Sequence, residues 1–251
     1  MRTITIAQTK GGVGKTTTAH CLASALKNKG YKVLLIDLDP QASLTSIVDI
    51  KDTISSYDVI NPDNEELILK DAIKHDFIKS VEKLGKLSNE IASMTGREYF
   101  LKERLKTISK LYDFCIIDTP PQQSILTTNA LTTSDYVLIP TSSSYLGIEG
   151  IDKIFKACKE IKKYCNSKLN VLGILLTQYH ANKTLEKALQ EEIINIAQSY
   201  NTIVFKTTIR ENIKMGESQI LHQTIYDYDK KSNGANDYLT FTNELLNIIG
   251  E

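Results

Sequence analysis

The stretch "QTKGGVGKTTTAH", residues 8–20, follows a short apolar run and opens a helical pattern. It restricts the chain more than any other feature. Gly11, Gly12 and Gly14 let the backbone curl tightly enough for successive N–H groups to face one point, and the helix N-terminus adds its partial positive charge there. A phosphate loop usually reads G-x-x-x-x-G-K-[ST]. Gly14, Lys15 and Thr16 supply the second half, but Thr9 stands at the first glycine and a second lysine, Lys10, follows it. The spacing predicts backbone N–H groups of residues 11–16 around phosphate oxygens, Lys15 on the β- and γ-phosphates, and the Thr16 hydroxyl on Mg²⁺. A mere glycine turn capping a helix is the bland alternative, and a G-K-T-T run between a strand and a helix disfavours it.

Short apolar runs alternate with helical patterns along the rest of the chain. The runs are 3–8, 32–39, 113–119, 135–141, 171–178 and 202–207, several of them apolar nearly throughout. Such runs suit parallel strands covered on both faces. Helical patterns occupy 15–29, where Ala19, Leu22, Ala23 and Leu26 recur on one face, and 97–110, 147–164, 183–199 and 236–249. The class expected is α/β: a three-layer α/β/α arrangement around a mostly parallel twisted sheet. The stretch 51–96 is the least readable; two helices and a weak strand near Phe77–Ile78 are expected. With no linker or repeat, one domain is expected over 1–251, without room before the loop for a helix-turn-helix.

Each of the next two apolar runs ends in acid. In "LLIDLDPQAS", Asp37 and Asp39 are two apart and leave the same face of the strand. In "CIIDTPP", Asp118 closes the run before Pro120 and Pro121 stop it. Ligands of open α/β sheets bind beyond the carboxyl ends of the strands, the edge the loop marks. For Asp39 the competing role is a helix cap, since Asp-Pro suits the start of a helix.

"KGGVGKTT", "LLIDLDPQ" and "YDFCIIDTPP" resemble the deviant Walker A, Walker A′ and Walker B motifs of ParA-type partition ATPases, within the wider ParA/Soj/MinD group of P-loop NTPases. The likeness continues through "GREYFLKERLKTI", "TTNALTTSDYVLIPT", "GIEGI" and "GILLTQY", and faintly at "TTIRENIKMGES" and "SNGANDY". It implies ATP and Mg²⁺ as ligands, held by Lys10, Gly11, Gly12, Val13, Gly14, Lys15, Thr16 and Thr17, with Gln41 and Arg210 nearby. By resemblance, Lys10 is the signature lysine that crosses a dimer interface to the other subunit's nucleotide. Lys15 joins it in catalysis, Asp39 orients the attacking water, and Thr16, Asp37 and Asp118 surround the metal. Ile209 stands where the family often has proline.

The resemblance implies an ATPase slow on its own, dimeric with ATP, bound nonspecifically to double-stranded DNA, and released when a ParB-like centromere-binding adaptor stimulates hydrolysis. A cytoplasmic, nucleoid-associated setting is expected, without membrane binding. Thirty basic and thirty acidic residues cancel, so any DNA surface must be a local patch. Lys206, Arg210, Lys214, Lys230 and Lys231 are the first candidates; Lys156, Lys159 and Lys163 on one helix face are the second.

A MinD-like membrane-cycling ATPase is the alternative, but it needs a membrane-seeking C-terminal helix. Here Phe241, Leu245, Ile248 and Ile249 make an apolar face and 238–251 carries no Lys or Arg, which predicts a core-packing helix. A nitrogenase-reductase-like enzyme needs paired interface cysteines, and Cys21, Cys115, Cys158 and Cys165 are misplaced for that. An amidoligase relative is expected to carry a further substrate domain.

Overall fold

The computed structural model describes residues 1–64, 74–142, 145–179 and 184–251, so the part of the 51–96 stretch at 65–73 and residue 183 of the expected 183–199 helix lie outside the described residues. The described strands are β1 (Arg2–Ile6), β2 (Val33–Asp37), β3 (Phe77–Ile78), β4 (Phe114–Asp118), β5 (Tyr136–Ser142) and β6 (Asn170–Thr177). They form one sheet in the order β3-β2-β4-β1-β5-β6, parallel at every pairing. The weak strand foreseen at Phe77–Ile78 is an edge strand, paired with Leu35 and Ile36.

Strands apolar throughout are sorted between the two faces by their period of two. Val33 and Leu35 pack with Leu22 and Leu26 of α1 (Lys15–Asn28) and Phe241 and Leu245 of α11 (Asn233–Ile249). Leu34 and Ile36 point the other way, into Leu84 and Leu87 of α4 (Leu84–Ile91), Leu101 and Leu105 of α5 (Phe100–Lys106), and Leu126 of α6 (Ile125–Thr133). A third cluster joins Ile139 and Leu176 to Ile151 and Phe155 of α7 (Tyr145–Tyr164) and Ile193 of α8 (Thr184–Ser199). Each such buried side chain contributes about 1.5–3 kcal/mol, so the three layers stand on apolar burial. Phe241 and Leu245 are fully buried, so the C-terminal helix packs on the core, although Ile248 stays 44% exposed.

The strand expected at 202–207 does not form a ladder. Its backbone runs beside β6, where Ile174 N–H donates to Ile203 and Phe205 N–H donates to Ile174. Its next two N–H groups, of Lys206 and Thr207, are taken by the Glu244 carboxylate of α11 at 2.7 and 2.9 Å. A side chain therefore replaces the partner strand. The 97–110 pattern splits into a 3-10 turn at Arg97–Tyr99 and helix α5, while α6 showed no helical period in sequence because both its sides are buried. A second 3-10 turn at Ser109–Leu111 and four further helices complete the described elements: α2 (Ser43–Val48), α3 (Ser56–Ile60), α9 (Ile213–Ile220) and α10 (Ile225–Asp229). Among the described residues, no helix is long and apolar enough to cross a membrane.

Candidate phosphate and metal site

The loop between β1 and α1 takes its shape from two glycines. Gly12 and Gly14 have φ of +75° and +80°, a region that side chains disfavour. Side chains from the end of β6 hold the loop in place: Thr177 Oγ1 donates to the Val13 carbonyl at 2.8 Å and Gln178 Nε2 to that of Gly12 at 2.9 Å. At its entry, the buried Gln8 accepts from Thr9 N–H and donates to Gly147 of α7 at 3.4 Å. A Cβ on Gly150 would lie 2.2 Å from the Gln8 amide oxygen, so glycine there lets α7 approach the loop. Thr17 Oγ1 accepts from Gln219 of α9 at 3.0 Å.

Lys15 folds back over the loop, its Nζ 3.3 Å from the Lys10 carbonyl. Burial lowers its pKa, opposed by Asp118 and Asp39. Lys10 itself is half-buried at the loop's entrance.

Parallel pairing brings the acids to this point. Asp37 and Asp118 are register partners, and Asp118 is also the register partner of Ile6, the last residue of β1. Asp118 is 1% exposed, and among the described residues neither carboxylate oxygen makes a hydrogen bond of ordinary geometry, the Thr16 hydroxyl lying close enough only to lower its pKa. Burial and then the Asp37 charge push it up to about 8, while the Thr16 hydroxyl and Lys15 pull it down. A buried carboxylate left without donors is costly. An Mg²⁺ ion, with its preference for hard oxygen donors, fits this Asp118–Thr16 pair.

Asp37 differs. Its Oδ2 accepts from Thr45 N–H and Thr45 Oγ1 at 2.8 and 2.7 Å, and its Oδ1 from Asp39 N–H at 3.1 Å. Burial raises it to about 6, held down by those bonds. Asp39 is also buried, and its Oδ1 accepts from Gln41 N–H at 3.0 Å. That bond closes a turn at Pro40 and Gln41; α2 starts only at Ser43, after Ala42 at φ +53°. Asp39 is therefore not the N-cap of a helix. Gln41 is exposed on the rim of a cleft of about 440 Å³ shared with Asp39, Ser88, Asn89, Pro120 and Gln122.

Lys206, Arg210, Lys214, Lys230 and Lys231 are all exposed. Arg210 makes a two-pronged pair with Asp237 at 3.0 and 2.6 Å, and its backbone lies beside Tyr179 through a bridge, next to the residue that holds the loop. Lys214 is ion-paired with Glu217 at 2.8 Å. On α7, Lys156 is paired with Asp152 at 2.6 Å. Thr45, Thr177 and Gln178 carried no signal for their roles in the sequence reading, although Thr177 and Gln178 fall within "GILLTQY".

A family model described as an AAA domain (AAA_31) matches residues 1–171. The chain is 34% identical over 248 residues to the sporulation initiation inhibitor protein Soj of Bacillus subtilis, covering 96% of this chain and 97% of that protein. It is 32% identical over 251 residues to the chromosome partitioning protein ParA of Myxococcus xanthus, covering 98% and 88%. Among solved structures, cobyrinic acid a,c-diamide synthase of Mycobacterium smegmatis, with bound ADP and magnesium, superposes with a TM-score of 0.82 at 27% identity, covering 100% of this chain and 96% of that one.

Proposed function

Because this chain belongs to the ParA/Soj family of partition ATPases, we propose that it hydrolyses ATP in the service of DNA partition. The observation that carries the reading is Asp118, a buried carboxylate that makes no hydrogen bond of ordinary geometry among the described residues, beside Lys15, Thr16 and the phosphate loop. That combination suits a divalent cation and a polyphosphate bound together.

Residues 10–17 hold the phosphates through backbone N–H groups, with the Lys15 ammonium on the β/γ side. Thr16 and Asp118 hold the Mg²⁺, and Asp37 lies beside them with its oxygens turned to the backbone of Asp39 and Thr45. The ion when bound neutralises phosphate charge, as in other phosphoryl-transfer sites. Asp39 orients the attacking water. Lys10, reaching from a second copy of the chain, stabilises charge on the transferred group, which ties hydrolysis to an ATP-dependent dimer.

The dimer binds DNA without sequence preference through phosphate contacts, and an adaptor of the ParB type accelerates hydrolysis and releases it. Arg210 and Lys214 are already committed to Asp237 and Glu217, so Lys230, Lys231 and Lys206 are the stronger candidates within the C-terminal patch. The test is DNA affinity measured with ATP, with ADP and without nucleotide. Binding that rises only with ATP and falls steeply with salt supports the reading. Equal affinity in all three states refutes it.

A further inference from the structure

The hydrogen bonds that hold the tip of β2 converge on one threonine. Thr45 Oγ1 accepts from Ser80 N–H at 2.7 Å and donates to Asp37 Oδ2 at 2.7 Å, while its own N–H donates to the same oxygen at 2.8 Å. The other oxygen, Oδ1, takes Asp39 N–H. Asp37 thus clamps the backbone of Asp39, and Thr45 clamps Asp37. The clamp is anchored outside the turn, because Ser80 follows β3 and Lys79 is bonded in both directions to 54–56, by N–H to Ile54 and by carbonyl to Ser56. The turn needs an anchor: Ala42 lies at φ +53°, a left-handed conformation that L-residues other than glycine disfavour, and offers α2 no side-chain cap.

We infer that Thr45 is a positioning residue: through Asp37 it fixes the backbone of Asp39, so that the Asp39 carboxylate is held in place before nucleotide arrives. This also assigns a task to the segment around β3, which pins the Asp39 turn from the sheet edge through Ser80. The inference rests on the reading of Asp39 as the residue that orients water, but the clamp itself can be tested without turnover.

The hydroxyl is the element to remove. Thr45→Val keeps the shape and the backbone N–H but loses both Oγ1 bonds; Thr45→Ser keeps the hydroxyl. In nucleotide-free protein, amide hydrogen exchange over 37–45 should rise in Thr45→Val by about tenfold or more, the loss expected when the charge-assisted bond to Asp37 and the bond from Ser80 both go, and return to the parent's level in Thr45→Ser. With ATP, kcat should fall by about tenfold or more in Thr45→Val while nucleotide Kd stays within about twofold, and Thr45→Ser should recover it. Unchanged exchange in the valine variant overturns the clamp. Raised exchange with an unchanged kcat overturns the positioning role. If the parent hydrolyses nothing, the ATPase reading fails, and the role inferred for Thr45 fails with it, while the exchange result still decides the clamp.

Discussion

Asp37 and Asp118 stand opposite each other as register partners at the carboxyl ends of β2 and β4, both buried, yet among the described residues one accepts three hydrogen bonds and the other none of ordinary geometry. Two carboxylates this close cannot easily both be charged in a dry environment. The two differ accordingly: Asp37 is engaged by the Asp39 backbone and by the backbone and hydroxyl of Thr45, whereas Asp118 keeps its oxygens clear of such bonds among the described residues.

The pair makes stability depend on pH in a known direction. Burial raises Asp37 to about 6 and Asp118 to about 8 from an ordinary 3.8. Between those values the folded chain binds more protons than the unfolded one, so this contribution to stability is full below about pH 4 and is lost as pH rises, through about 6 for Asp37 and about 8 for Asp118. Each proton held per pH unit corresponds to about 1.4 kcal/mol, or about 3 °C in Tm for a chain of this size. Thermal melts of metal-free protein should decline from pH 6 to 8, and Asp118→Asn should flatten that decline. An equal slope in the variant would show that Asp118 is not the group responsible.

Lys15→Ala removes the buried cation that closes over the loop and opposes the charge of Asp118. Charge-assisted contacts of this kind are worth about 1.5–3 kcal/mol, so ATP affinity should fall by about 10- to 100-fold by titration calorimetry. Parent-like affinity would mean that the phosphates lie elsewhere.

Lys10→Ala and Asp39→Ala should separate two roles. Loss of Lys10 should weaken the ATP dimer and abolish hydrolysis, whereas loss of Asp39 should leave a long-lived ATP dimer without turnover. Sedimentation with ATP reads the first effect and phosphate release the second. A monomer in every nucleotide state, with turnover intact, would rule out action across subunits.

The lysines and the arginine of the C-terminal patch should respond differently. Lys230 and Lys231 are exposed and make no ion pair among the described residues, so changing both to Glu should weaken DNA binding and reduce its salt dependence without changing Tm. Arg210 holds Asp237, so Arg210→Ala should cost about 1 kcal/mol, roughly 2–4 °C in Tm, from a half-exposed pair. If the double variant binds DNA like the parent, the exposed lysines of α7 become the next surface to change.

The phosphate loop, the acids at the ends of β2 and β4, and the three-layer class were legible in the sequence because each depends on neighbours in the chain. Glycine is needed where φ turns positive at Gly12 and Gly14, and an acid that closes an apolar run falls at the end of a strand. Helix α6 was not legible, since a helix buried on both sides has no polar stripe to set its period. Nor was the absence of a strand at 202–207, decided by a carboxylate, Glu244, that stands 38 positions from Lys206. The sequence could nominate Arg210 and Asp37 for charge chemistry, but not show that Arg210 is bound to Asp237, 27 positions on, or that Asp37 is occupied by Thr45. Thr177 meets Val13 across 164 positions. Which charges stay free for a ligand depends on which are consumed inside the molecule, and those pairings exist only once the parallel sheet has set its strand ends side by side.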